Sequence, residues 1–152
     1  MTEKVPALLR RLLFAAFFFL LLALQARSVC ASPHFEALNV PGTMLRGNPL
    51  GDPVERRVAV FTPELPKFSS KLTTCYYLPG YGGSSEDFLG ENGARFAEIF
   101  QELANRGLAF RMVVVDCRNR WGGSQYLNSP AQGNYADYFL EDIIPFLERK
   151  YG

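Results

Sequence analysis

Leu78-Pro79-Gly80-Tyr81-Gly82-Gly83 is the stretch best suited to chemistry. A short apolar and aromatic run, beginning near Leu72, stops there at Pro-Gly and a glycine-rich turn. A buried strand ending in such a turn presents backbone N–H groups at the carboxyl edge of a sheet. Open α/β sheets form their clefts at that edge. Glycine permits positive φ and close backbone approach, although a plain tight turn between strand and helix needs the same residues. Other reactive types are sparse. His34 is the only histidine and reads as a solvated residue near a chain terminus. No Gly-x-Ser-x-Gly occurs. Gly122-Gly123-Ser124-Gln125-Tyr126 comes near it, but falls in a loop with no helix directly after it. Asp116 reads as a strand-end acid that caps loop amides, with a catalytic acid as the alternative. One histidine and few cysteines make no metal-ligand cluster, so neither a metal nor a cofactor is expected.

The elements that must position this turn follow from periodicity. Phe35 to Val40 alternates apolar and polar and predicts a half-exposed strand ended by Pro41-Gly42. Val54 to Thr62 predicts a second strand, with Val58 and Val60 on one face and Ala59 and Phe61 on the other. The third is Leu72 to Leu78, apolar without clean alternation, as in a strand covered on both faces. Ser84 and Asp87 have the spacing of a capping box; an ordinary polar loop is the alternative. Ala94 to Arg106 repeats Phe96, Ala97, Ile99, Phe100, Leu103 and Ala104 as one apolar stripe, with Gly107 as its C-cap. Phe110 to Asp116 is a β-branched run. Strand, helix, strand in this order predicts a parallel pair with a right-handed crossover.

Cys117 to Gly133 is a long polar loop. Asn134 and Asp137 then predict a capping box for a second helix, which Pro145 should kink. That gives an α/β fold with about four strands and two main helices. Lys150-Tyr151-Gly152 reads as a helix exit leading to a further strand, so the sheet is expected to be incomplete. Its uncovered edge is a candidate for self-association.

Residues 1–31 read as a secretory signal peptide. Arg10 and Arg11 precede an uncharged run of 15, Leu12–Ala26, and Val29-Cys30-Ala31 offers small residues for cleavage after Ala31. A membrane span needs about 20 residues. The expectation is export, secreted or periplasmic, with no membrane association after cleavage. Residues 32–152 form the domain. Cleavage removes Lys4, Arg10, Arg11, Arg27 and Glu3 from sixteen basic and fifteen acidic side chains, leaving 12 against 14. No basic run remains, so nucleic acid is not an expected partner. Cys75 and Cys117 are too far apart along a parallel strand pair for a disulfide and read as two buried or half-buried thiols.

The ordered motifs resemble the esterase D-like branch of the α/β-hydrolase fold, which includes S-formylglutathione hydrolase, feruloyl and acetyl-xylan esterases and the mycolyltransferases. The residues that carry it are Arg57–Pro63, Tyr77–Ser84, Val114–Asp116 with Trp121–Tyr126, and Tyr138–Glu148. They match the N-terminal half of that family. The resemblance implies a serine nucleophile in an elbow, a histidine base, and backbone N–H groups that hold the oxyanion. It implies the Tyr81 N–H as one such donor, with Gly80 and Gly82 shaping the turn. A donor of this kind is worth about 3–4 kcal/mol to the transition state. The same resemblance places Trp121 and Tyr126 beside a substrate pocket, with simple loop packing as the alternative. The elbow and the C-terminal histidine have no matching positions. The chain is therefore expected to be an exported carboxylic-ester hydrolase family member, inactive alone, whose substrate when completed is a small or polysaccharide-linked ester. A non-catalytic binding or partner-dependent remnant and an acyltransferase of the mycolyltransferase type remain open.

Overall fold

The computed structural model describes residues 33–65 and 71–152. The expected signal peptide, residues 1–31, lies outside the described residues. Four strands form one sheet: β1 (Phe35–Pro41), β2 (Glu55–Phe61), β3 (Thr73–Tyr77) and β4 (Phe110–Val114), in the order β1-β2-β4-β3. β1 and β2 are antiparallel, with Phe35 opposite Phe61, and β2 is antiparallel to β4. β3 and β4 are the one parallel pair among the described residues, joined through helix α1 (Gly90–Asn105), as strand-helix-strand order requires.

Both faces of the two central strands are covered. Val58 and Val60 of β2 and Val113 of β4 point to one face. There they meet Val40, Tyr135, Tyr138, Ile143 and Leu147. Ala59, Phe61 and Val114 point to the other face and pack with Phe35 and with Ala97 of α1. The alternation along β2 is the one its sequence predicts. The second cluster is largely aromatic: Phe35 lies 5.6 Å from Phe61 and 6.1 Å from Phe100, ring centre to ring centre.

Four expectations need correction. β3 is not a strand covered on both faces. It is the sheet edge, and Thr73, Cys75 and Tyr77 are exposed. Among the described residues no strand pairs with its outer side, while Tyr76 packs on Phe139 and Tyr77 on Phe88. Cys75 is accordingly an exposed thiol, whereas Cys117 is buried, and both are free. Helix α1 starts four residues before Ala94. Its fully buried residues are the small Gly93, Ala97 and Ala104, Phe100 packs on Phe35, Phe61 and Phe110 of the sheet, and Phe96 and Ile99 lie exposed at the rim of the stripe. A Cβ at Gly93 would sit 2.0 Å from the Phe88 carbonyl oxygen, so only glycine allows the incoming chain this close. The helix closes as expected at Gly107, whose N–H bonds Ala104 O while Leu108 N–H bonds Leu103 O.

The fourth correction concerns the second helix. It is a composite: a first turn Tyr135–Asp137, a π-helical stretch Tyr138–Ile143, and an α-helical end Ile144–Tyr151. Asn134 makes no side-chain cap. Asn128 does that work from the preceding hairpin β5 (Asn128–Ser129) and β6 (Gly133–Asn134). Its Oδ1 accepts from the N–H groups of Ala136 and Asp137 at 3.0 and 3.1 Å. The Ser84–Asp87 capping box is present, on a 3-10 turn at Ser85–Phe88.

Candidate functional site

The turn at the carboxyl end of β3 is closed by Gly83 N–H donating to Gly80 O at 3.0 Å. Gly82, at its third position, has φ of 84°, as a type II turn demands and as glycine supplies without strain. Gly82 N–H donates to Gly122 O at 3.0 Å, tying the turn to the loop after β4. The Gly82 and Gly83 amides are thus both taken. Among the described residues, no acceptor lies against the Tyr81 N–H.

Two tyrosines fix this junction. The Tyr81 ring lies over the backbone of Gly122 and Gly123, and its Oη donates to Trp121 O. A methyl group on Gly122 would come within 2.9 Å of Tyr81 Cε1, and Gly122 has φ of 102°. Glycine is required there twice over, for space and for backbone. From the other side, Tyr126 Oη donates to Pro79 O at 2.5 Å. Tyr126 reaches Pro79 from a left-handed backbone. Gln125 and Tyr126 have φ of 55° and 56°, at an order of 1–3 kcal/mol each for non-glycine residues.

The loop from Cys117 is organised by local bonds. Asn119 Oδ1 accepts from Trp121 N–H at 2.9 Å, and Ser124 N–H donates to Cys117 O at 3.2 Å. Underneath sits Arg56, nearly fully buried. It donates to the carbonyls of Pro53, Asp116 and Arg118 and pairs with Asp116 Oδ2 at 3.0 Å. Burial pushes the Asp116 carboxyl above its ordinary range, and the Arg56 guanidinium only partly offsets this. Asp116 Oδ1 accepts from Arg118 N–H at 3.2 Å, so it caps the loop, as its strand-end position suggests.

Between turn and loop is a cavity of about 70 Å³. Gly80, Tyr81, Tyr126, Ser124, Cys117 and Arg118 are among its walls. Of the residues singled out in the sequence, Gly80, Tyr81 and Tyr126 therefore converge. Gly82 shapes the turn from outside the lining, and Trp121 stands apart, 53% exposed. Sequence reasoning misses Cys117, Arg118 and Ser124 as cleft residues. Their only sequence signal is position, directly after a buried strand and within the Gly122–Tyr126 loop. Burial pushes the Cys117 thiol up to about 12, so it is a neutral wall near pH 7 and not a nucleophile. Among the described residues no group of His, Cys, Asp and Glu could hold a metal ion.

No family model and no curated protein matches this chain. Solved structures do. One ferulic acid esterase is 19% identical with a TM-score of 0.58, over 77% of this chain and 42% of its own. A CE1 ferulic acid esterase from Anaeromyces mucronatus, in complex with ferulic acid, is 17% identical with a TM-score of 0.54, over 84% of this chain and 46% of its own. The chain thus spans less than half the length of the structures it resembles. At these identities the likeness establishes the fold: an α/β architecture matching an incomplete portion of an α/β-hydrolase-like sheet.

Proposed function

We propose that this chain carries the oxyanion-holding side of an exported carboxylic-ester hydrolase of the serine type, and that its 152 residues alone turn over no ester. The observation that carries the reading is the Tyr81 amide: unpaired among the described residues, beside a cavity, at the carboxyl end of a parallel strand. A tetrahedral intermediate places negative charge on the former carbonyl oxygen. A fixed N–H that needs no reorganisation stabilises that charge more than the neutral ground state. Tyr81 is fixed by its own ring on Gly122-Gly123, and the turn is fixed by the Gly82–Gly122 bond. The solved neighbours are esterases of an aromatic acid, which favours an ester with an aromatic acyl group. The half-buried Tyr126 ring would form one wall for it. The sequence has neither a Gly-x-Ser-x-Gly elbow nor a histidine other than His34, so the nucleophile and base of such a site are not among these residues.

Titrating ¹⁵N-labelled chain with ferulate or phenylphosphonate, which present oxygen anions on an aromatic ring, tests the site. The Tyr81 amide should shift first, with Gly80 and Tyr126. Tyr81→Phe should keep the response. Tyr81→Pro, which the second position of a type II turn accepts, should lose it. A Tyr81 amide that ignores both anions counts against the assignment. Serine-inhibitor-sensitive cleavage of p-nitrophenyl acetate by the chain would refute the claim that it lacks a nucleophile.

A further inference from the structure

Arg56 is a charged residue in a row of buried valines. Along β2 it shares a face with Val58 and Val60, and it is buried as they are. A guanidinium is costly there unless its N–H groups find acceptors. We propose that Arg56 is the positioning residue for the Tyr81 amide: it fixes the loop after β4, and that loop fixes the turn. The inference rests on the oxyanion reading for what the amide does, and on the bonds alone for how it is held.

The bonds run in series. Beyond β4 the chain leaves the sheet, and the carbonyls of Asp116 and Arg118 need donors that a strand would otherwise supply. Arg56 supplies both, with Nε to Asp116 O at 3.3 Å and Nη2 to Arg118 O. Its Nη1 reaches Pro53 O at 3.4 Å, and Nη2 pairs with Asp116 Oδ2 at 3.0 Å. The other oxygen of Asp116 accepts from Arg118 N–H. Two residues on, Arg120 N–H donates to Asp52 Oδ1 at 3.0 Å. Asp52 is held in turn by Tyr135 Oη at 2.9 Å, and the Tyr135 ring lies 5.9 Å from Arg56 Cζ.

From there the loop reaches the turn. Gly122 N–H donates to Asn119 O at 2.9 Å, which orients the Gly122 peptide. Gly122 O accepts from Gly82 N–H at 3.0 Å, and Trp121 O accepts from Tyr81 Oη. Tyr81 is therefore tied to the loop through its side chain and through the peptide that follows it. Arginine suits the root of this series because its rigid planar fork serves separated acceptors at once, whereas a lysine ammonium is a compact point charge.

Amide hydrogen exchange in ¹⁵N-labelled chain reads the loop–turn bond directly. Arg56→Lys keeps a cation beside Asp116 and loses the fork. It should speed exchange at Gly82 and Gly122 by about tenfold, the equivalent of one hydrogen bond. Global destabilisation alone would appear at the β2 and β4 amides and leave the locally opening Gly82 as it is. The Tyr81 amide of Arg56→Lys should need about tenfold more phenylphosphonate than wild type for the same shift. Arg57→Lys, the same substitution one residue along at an exposed position paired with Glu86, should leave Gly82 at its wild-type rate. Arg56 also lines a cavity of about 480 Å³, which gives a second measurement. Ethylguanidinium entering Arg56→Ala by that cavity should restore protection at Gly82, and ethylammonium should not. If Arg56→Ala does not fold, Arg56→Lys decides. Wild-type exchange at Gly82 and Gly122 in Arg56→Lys overturns the proposal, whatever phenylphosphonate does. Rescue by ethylammonium as well as by ethylguanidinium overturns the role of the fork. A wild-type Tyr81 amide that ignores phenylphosphonate while Gly82 protection still depends on Arg56 overturns the oxyanion reading and supports the linkage.

Discussion

Tyr81 is held by its ring and open at its backbone, and Gly122 decides the first of these. Gly122→Ala places a methyl group 2.9 Å from Tyr81 Cε1 at a backbone φ of 102°. The expected cost is about 1–3 kcal/mol, measured as a lower urea midpoint with unchanged slope. Tyr81→Phe, which removes only the bond to Trp121 O, should cost about 1 kcal/mol. Cys117 gives a second test at this scale. Burial raises its pKa from 9.0 to about 12, so Ellman's reagent should modify Cys75 in the native protein and Cys117 only after unfolding. The pH dependence has a definite sign. Between pH 9 and 12 the folded state retains a thiol proton that the unfolded state has lost, so stability falls as pH rises through that window. Tyr126, Tyr135 and Tyr138, all raised chiefly by burial, act in the same direction. Cys117→Ala should therefore flatten the decline without abolishing it.

At the scale of elements, the composite helix shows what sequence spacing resolves and what it does not. Asn134 and Asp137 have the form of a capping box, yet Asn128 holds the helix start. A cap supplied from a hairpin eight residues upstream depends on the β5–β6 pairing, which no local pattern records. Asn128→Ala should cost about 1 kcal/mol and Asn134→Ala much less, read by thermal unfolding of the two variants. Pro145 was legible as a disruption, but its outcome was not. The π-helical stretch Tyr138–Ile143 immediately precedes it, and extra width there relieves the clash that proline makes with the preceding turn. The same stretch lets the buried Asp142 accept from Thr43 Oγ1 and from Met44 N–H, the latter at 2.8 Å. Val58-Ala59-Val60-Phe61 and Met112–Val115 were legible because both their faces are covered, one by each helix. Thr73–Tyr77 carried the same apolar signal and is an edge. Composition reports what a strand can bury, not whether a neighbour is there to bury it. The site was legible to the same extent: the β3 turn is local and visible, but its closure by Tyr81 on Gly122 and by Tyr126 on Pro79 spans 40 and more residues.

For the whole molecule, the sheet order sets a gradient of local stability that hydrogen exchange can read. β2 and β4 lie inside the order β1-β2-β4-β3, paired on both sides and covered on both faces. Their amides should open only with global unfolding and define the slowest-exchanging set. β3 shares one side with β4, so its own pattern should alternate. The Cys75 and Tyr77 amides, directed at β4, should be slow, and the Thr74 and Tyr76 amides, directed outward, should be fast. No burial argument produces that alternation, because Tyr76 is the better buried of the pair Tyr76 and Tyr77. Only the hydrogen-bond phase fixed by Val115 and Tyr77 does so. Uniform exchange along β3 would mean that the edge does not keep this hydrogen-bond phase.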